Sequence, residues 1–243
     1  MITLCLDFGN TRLKAAVFSQ DRLLEEILLS DCSNSEIGRL LEKWQPAKSI
    51  LSSVIHHDVS VEDLLSANTQ FHKLSHKTVV NFTSPVGKPE TIGADRLALV
   101  AAAVHFFPGM NNLVIGLGSC ITYNFVNQYH QFLGGSISPG MDMRFRSMHE
   151  FTAKLPLSQA DWNYPLIGYD TRTNLQSGVI TGIACEIDGF IEKYSRKYGN
   201  FNVVLTGGNS AYFASQLKNR IFADYNFLFK GLYALSEINN CNK

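Results

Sequence analysis

MITLCLDFGNTRLKAAVF, residues 1–18, sets two apolar runs about a short polar turn. Residues 3–6 and 15–18 read as strands, with Gly9 and Asn10 as turn formers between them. A plain hairpin accounts for the glycine and the asparagine, with Asp7 serving its own turn. It does not ask for an acid at the end of a buried run, nor for a hydroxyl at Thr11 and a cation at Lys14 close behind. Glycine lets backbone N–H groups approach an anion, Asn and Thr add donors, and lysine meets phosphate as a point charge. An acid beside such a loop fits when a cation stands between them, and Mg²⁺ takes one or two carboxylates together with water and substrate phosphates. A turn and a phosphate loop both fit this stretch.

The pattern returns further along. Residues 112–115 form an apolar run, Gly116-Leu117-Gly118-Ser119 interrupts it, and residues 121–126 resume it. LCLDFGNTRLKAAVF set over LVIGLGSCITYNFV gives strand, glycine turn with a hydroxyl residue, and strand in both, as two related halves would. A third strand, 201–205, runs into Thr206-Gly207-Gly208-Asn209-Ser210 and a helix over 211–221. Bare glycines at a strand-to-helix junction suit either a nucleotide or a tight turn. The remaining pattern predicts strands at 22–29, 49–54, 79–82 and 132–137, and helices at 36–44, 61–67, 91–107, 142–155 and 173–198. This alternation points to an α/β fold, in which ligands sit at strand ends. The cluster Pro108, Gly109 and Asn111 places a boundary between residues 1–110 and 111–243.

Composition narrows the function classes. The 243 residues are 45% hydrophobic and 17% charged, with 21 basic and 21 acidic side chains. A balanced charge argues against nucleic acid or an anionic membrane as the main partner. Five widely spaced cysteines, Cys5, Cys32, Cys120, Cys185 and Cys241, match neither a disulfide framework nor a zinc site, and read as reduced thiols of a cytoplasmic protein. The N-terminus does not read as a signal peptide, and the uncharged run at 97–107 is too short to span a bilayer. His72 and His76 have a metal-compatible spacing without a third ligand and read as surface residues. Met141, Met143 and Met148 read as packing residues.

Ile92-Gly93-Ala94-Asp95-Arg96 opens an alanine-rich helix. An acid in a first turn favours the helix dipole. Alternatively Asp95 accepts a proton from a substrate hydroxyl while Arg96 grips a carboxylate, which its planar fork matches.

Taken together the motifs resemble a known family. Asp7-x-Gly9-Asn10-Thr11-x-x-Lys14, Gly93-Ala94-Asp95-Arg96, Gly134-Gly135-x-Ile137-x-Pro139-Gly140, Leu155-Pro156, Gly168-x-x-Thr171 with Ser177-Gly178, and Thr206-Gly207-Gly208 follow one another along nearly the whole chain. This is similar to the type III pantothenate kinases of the acetate and sugar kinase/Hsp70/actin superfamily. The resemblance implies two ribonuclease H-like domains with mixed sheets, ATP in the cleft between them, and a cytoplasmic homodimer. It implies ATP-dependent phosphorylation of pantothenate to 4'-phosphopantothenate, the first step of coenzyme A synthesis, with Mg²⁺ and a monovalent cation, K⁺ or NH₄⁺. By the same resemblance Asp7, Phe8, Gly9, Asn10, Thr11, Arg12, Leu13 and Lys14 form the first phosphate loop, with Asp7 holding Mg²⁺ through water. Ser119, Gly207 and Gly208 complete the ATP site. Asp95 is the general base, and Gly93, Ala94, Arg96 and Thr171 meet pantothenate.

Three positions depart from the family. Where it has an aspartate that helps hold the monovalent cation, this chain has Gly116, which offers only a carbonyl. Asn124 replaces a later acid, and Val86 replaces a tyrosine near pantothenate. Two other functions compete. A sugar kinase of the same superfamily fits less well, because Arg96 suits a carboxylate better than a neutral sugar. A catalytically degenerate relative that binds nucleotide or pantothenate as an accessory protein is compatible with Gly116 and Asn124. It leaves the retention of Asp7, Lys14, Asp95 and Arg96 without a reason.

Overall fold

The computed structural model describes residues 1–85, 87–199 and 201–240, so Val86 and Cys241 lie outside the described residues. The chain forms two compact units.

In the first unit, β1 (Ile2–Phe8), β2 (Leu13–Ser19) and β3 (Arg22–Leu28) run as an antiparallel meander, with α1 (Asn34–Trp44) following. Next come β4 (Lys48–Ser53), α2 (Ser60–Asn68) and β5 (Gln70–Lys73), and the sheet order is β3-β2-β1-β4-β5. β4 lies parallel to β1, and β5 parallel to β4. Alternation along β1 and β2 sends Leu4, Leu6, Phe8, Ala15 and Val17 to one face, where they pack with Ile37, Leu40, Val61 and Leu65 of α1 and α2.

The helix α3 (Ala94–Phe106) is apolar all round and buried from Leu97 to Val104, as expected of a helix covered on every side. This unit also takes in residues 126–134 and 226–240, beyond position 110.

The second unit holds β6 (Asn111–Leu117), β7 (Cys120–Val126) up to Phe125, β8 (Phe132–Pro139) from Gly135, α4 (Met141–Glu150), α5 (Thr171–Lys197), β9 (Phe201–Gly207), α6 (Ser210–Ala214) and β10 (Phe222–Ala223). Its sheet order is β10-β9-β6-β7-β8, and β6, β9 and β10 are parallel. Leu113, Ile115, Ile121, Tyr123 and Phe125 pack against Val179, Ile183 and Ile187 of α5. The last helix, α7 (Phe227–Asn239), belongs to the first unit and crosses α3 closely. A Cβ on Gly231 would stand 2.0 Å from the Ala98 carbonyl.

Several predicted elements differ from those observed. Residues 79–82 are not a strand: Asn239 of α7 pairs with the Val79 backbone on both sides, donating to its carbonyl and accepting from its N–H. The edge strand is instead the polar Gln70–Lys73. The helix predicted over 91–107 starts at Ala94, after a 3-10 turn at Pro89–Thr91 and an extended Ile92. The one predicted over 142–155 ends at Glu150, and His149 Nδ1 pairs with the Leu155 carbonyl at 2.8 Å across the turn that follows. The one predicted over 211–221 lasts only to Ala214, because Asp188 draws the N–H groups of Lys218 and Asn219 away from helical partners. His72 lies on β5 rather than a helix and pairs with Thr78 at 2.8 Å. Among the described residues no group of three His, Cys, Asp or Glu is placed to hold a metal ion, and no helix is long and apolar enough to cross a membrane.

Candidate active site

Asp7 is the last residue but one of β1, and both neighbouring strands shape its surroundings. Lys14 of β2 stands directly opposite in the antiparallel register, and Ser52 of β4 opposite in the parallel one. Lys14 Nζ is 2.8 Å from Glu26 on β3, so part of its charge is answered within the sheet. Ser52 is fully buried, and its hydroxyl donates to Asp7 Oδ1 at 3.1 Å.

The turn beyond Asp7 closes through the Gly9 N–H, which donates to the Arg12 carbonyl at 3.1 Å. Asn10, Thr11 and Arg12 project from it exposed. The Phe8 side chain faces the other way, wholly buried and edge-on to His57 at 5.4 Å.

A second acid faces the first within the same unit. Asp95 sits in the opening turn of α3, after Gly93 at the N-cap. A Cβ on Gly93 would lie 2.5 Å from Asp95 Oδ1, so the glycine makes room for the carboxyl over the helix start. Burial raises the pKa of Asp95, while backbone N–H groups of the helix start and the Arg96 charge pull the other way. Arg96 is half-buried, with its guanidinium 5.7 Å from the centre of the Phe132 ring. Asp7 responds more strongly. Desolvation, then the charge of Asp95, push it up to about 7 against the pull of Ser52 and Lys14. A carboxyl such as Asp7 that feels the charge of a second carboxyl is a donor that suits a bound cation, and a carboxyl of raised pKa is a better proton acceptor near neutrality.

The second unit contributes backbone rather than acids. Gly116 pairs with Thr206, and Leu117 with Gly207, so the glycine turn after β6 and the Thr206-Gly207-Gly208 turn after β9 lie side by side at one sheet end. Gly207 has φ +103°, and a Cβ there would sit 2.2 Å from the Leu117 carbonyl. Gly140 is held as tightly: its Cβ would fall 2.3 Å from the Gly118 carbonyl, and its N–H donates to the Ser119 carbonyl at 3.0 Å. Only glycine allows these approaches. Gly208 is exposed, and Thr171, exposed too, opens α5 after its Asp170 cap. Asn124 is buried and donates to the Val114 carbonyl, so it serves the sheet.

The strands therefore bring Asp7, Lys14 and Asp95 into one neighbourhood of the first unit, and Ser119, Gly140 and Gly207 into one neighbourhood of the second. Two features escaped the sequence. Ser52 reads as one more residue of a buried strand; its only signal is a hydroxyl beside apolar Ile50 and Leu51. Glu186 of α5 accepts from Tyr123 at 2.8 Å and Ser138 at 2.5 Å and pairs with Arg144, a polar knot that binds α4 and α5 to the sheet. These partners lower the pKa of Glu186 against the burial that would raise it.

The chain is similar to known proteins along nearly its whole length. Residues 3–193 match the model of the type III pantothenate kinase family. Type III pantothenate kinases from Christiangramia forsetii and Bacteroides fragilis are 42% and 38% identical to the chain, each over 98% of it and 99% of the relative. That from Flavobacterium johnsoniae is 39% identical over 94% of the chain and 95% of its own length. A solved structure from Campylobacter jejuni, described as a Baf family transcriptional activator, superposes with a TM-score of 0.62 at 20% identity, covering 97% of this chain and 98% of that one. A glucokinase from an Antarctic psychrotroph superposes at 0.52 with 9% identity, covering 98% and 99%. The structural likenesses bear on fold alone, and place both sheets in the ribonuclease H-like, actin-like ATPase architecture. The identities over nearly full length carry the assignment, and the chain belongs to the type III pantothenate kinase family.

Proposed function

We propose that the protein transfers the γ-phosphoryl group of ATP to the primary hydroxyl of pantothenate, forming 4'-phosphopantothenate and ADP at the entry to coenzyme A synthesis. The observation that carries this reading is the pair Asp7 and Asp95, held at the ends of β1 and α3 in a chain of this family. Asp95 accepts the hydroxyl proton as the oxygen attacks phosphorus, and burial makes it the better base. Arg96, beside it, binds the pantothenate carboxylate, with Gly93 and Ala94 in the same subsite, and the family resemblance assigns Thr171 to pantothenate as well. Phosphoryl transfer asks mainly for positioning and charge neutralisation. The loop from Asp7 to Lys14 positions the phosphates of ATP, and the family resemblance assigns Ser119, Gly207 and Gly208 to ATP as well.

The residues around Asp7 fit a Mg²⁺ ion, because a cation offsets the charge of Asp95 that Asp7 feels. Asp7 would hold it through water, and a bound ion would supply neutralisation of phosphate charge. Gly116 brings no carboxylate to the turn where the family pattern has one, so dependence on K⁺ or NH₄⁺ is weak or absent. The active form is a cytoplasmic homodimer.

The test is ATP- and Mg²⁺-dependent phosphorylation by the purified protein, offered pantothenate and a panel of hexoses, with and without K⁺. Phosphorylation of pantothenate alone is expected. Absence of turnover by folded protein would overturn the reading, and preference for a hexose would redirect it to the sugar kinases.

A further inference from the structure

We propose that Ser52 is a positioning residue for the metal-bearing carboxylate: its buried hydroxyl occupies one oxygen of Asp7 and leaves the other to face the glycine turn. The inference rests on the function proposed above and adds to it a residue that the loop motif does not contain.

β4 is a buried strand, and Ile50 and Leu51, just before Ser52, are fully buried and apolar. A hydroxyl in such a place costs free energy unless it is hydrogen-bonded. Ser52 meets that demand through Asp7 Oδ1, to which it donates at 3.1 Å. The parallel register sets Asp7 and Ser52 opposite each other, so their side chains leave the sheet on the same face. The other carboxylate oxygen points elsewhere: a Cβ built on Gly9 would lie 3.9 Å from Oδ2, on the side of the turn. The two oxygens thus have separate tasks, one tied into the sheet and one turned to the loop. Partners of this kind orient a metal-binding carboxylate and hold it ready before the metal arrives.

The experiment titrates Mn²⁺, a paramagnetic stand-in for Mg²⁺, into the full chain with a non-hydrolysable ATP analogue, followed by electron paramagnetic resonance. Thermal melting and pantothenate turnover are recorded on the same samples. Ser52→Ala should weaken Mn²⁺ binding about 10-fold or more, and Ser52→Thr, which keeps the hydroxyl, should restore it. Unchanged Mn²⁺ binding in Ser52→Ala would overturn the proposal, as would equal weakening in both variants with a matching fall in melting temperature. If Ser52→Ala does not fold, Ser52→Cys, similar in size but a weak donor, takes its place with the same two outcomes. Wild-type protein that binds Mn²⁺ with the analogue yet leaves pantothenate untouched would overturn the function while leaving the Ser52 comparison readable.

Discussion

The two glycine turns, Gly9 to Arg12 after β1 and Gly118 to Ser119 after β6, share a strand-turn-strand pattern but are built differently. The first turn is loosely packed. A Cβ on Gly9 would meet the Arg12 carbonyl at 3.1 Å and Asp7 Oδ2 at 3.9 Å, and around it stand ionisable groups: Asp7, Lys14 and Asp95. The second is clamped by backbone on two sides, by Gly140 and by Gly207, and where the first strand has Asp7 it has Gly116. The same strand-turn-strand pattern is thus built in two different ways. Ionisable groups gather about the first turn, and close backbone approach shapes the second.

If the first turn is the reactive one, removing charge there should do the most damage. Asp95→Asn should lower kcat by ~10²–10⁴-fold, the usual range for a lost general base, with nucleotide binding retained. A kcat close to wild type in steady-state assays would mean that the acids of the first unit are not the reactive ones.

The next test adds bulk rather than removing charge. Gly140→Ala should destabilise the protein by about 1–3 kcal/mol through overpacking against the Gly118 and Ser119 carbonyls. Gly9→Ala should cost clearly less, because its single tight neighbour lies in a turn open to solvent. Urea unfolding of both variants ranks the two turns, and equal losses would erase the distinction between them.

A third expectation concerns pH in the metal-free protein. The folded-state pKa of Asp7 is raised from 3.8 to about 7, so between these values the folded form holds a proton that the unfolded form has lost. Stability from this group therefore falls as pH rises through that window and levels off above it. Asp7→Asn, which cannot ionise, should gain in melting temperature relative to wild type from pH 4 to pH 7 and little beyond. A gap that stays constant with pH would show that Asp7 is ionised throughout.

For the monovalent cation no effect is expected. Rates in K⁺ and in a large inert cation should agree, since Gly116 lacks a carboxylate. Strict activation by K⁺ would mean that backbone carbonyls alone rebuild a cation site in the second turn.

Much of the fold is legible in the amino-acid sequence. Alternation in residues 3–6 and 15–18, the run of small apolar residues in α3 and the three glycine turns all follow from local rules, because period and turn chemistry depend on near neighbours. The misread segments failed for one shared reason. Val79 looks like a strand residue, yet Asn239, far along the chain, takes up its backbone groups. The helix after Ser210 stops early because Asp188, on another element, claims the amides that would have continued it. Gln70–Lys73 carries no apolar alternation, and pairing with β4 alone makes it a strand.

The alternating α/β plan, the family, and the residue types that stand at each glycine turn are all written in order and spacing along the chain. Which groups meet was settled by tertiary packing. It set Asp95 near enough to Asp7 to raise its pKa, placed Ser52 on one oxygen of that carboxylate, and gathered Tyr123, Ser138 and Arg144 on Glu186. Such contacts depend on strand register and helix packing between distant segments, and burial then gives them their electrostatic weight.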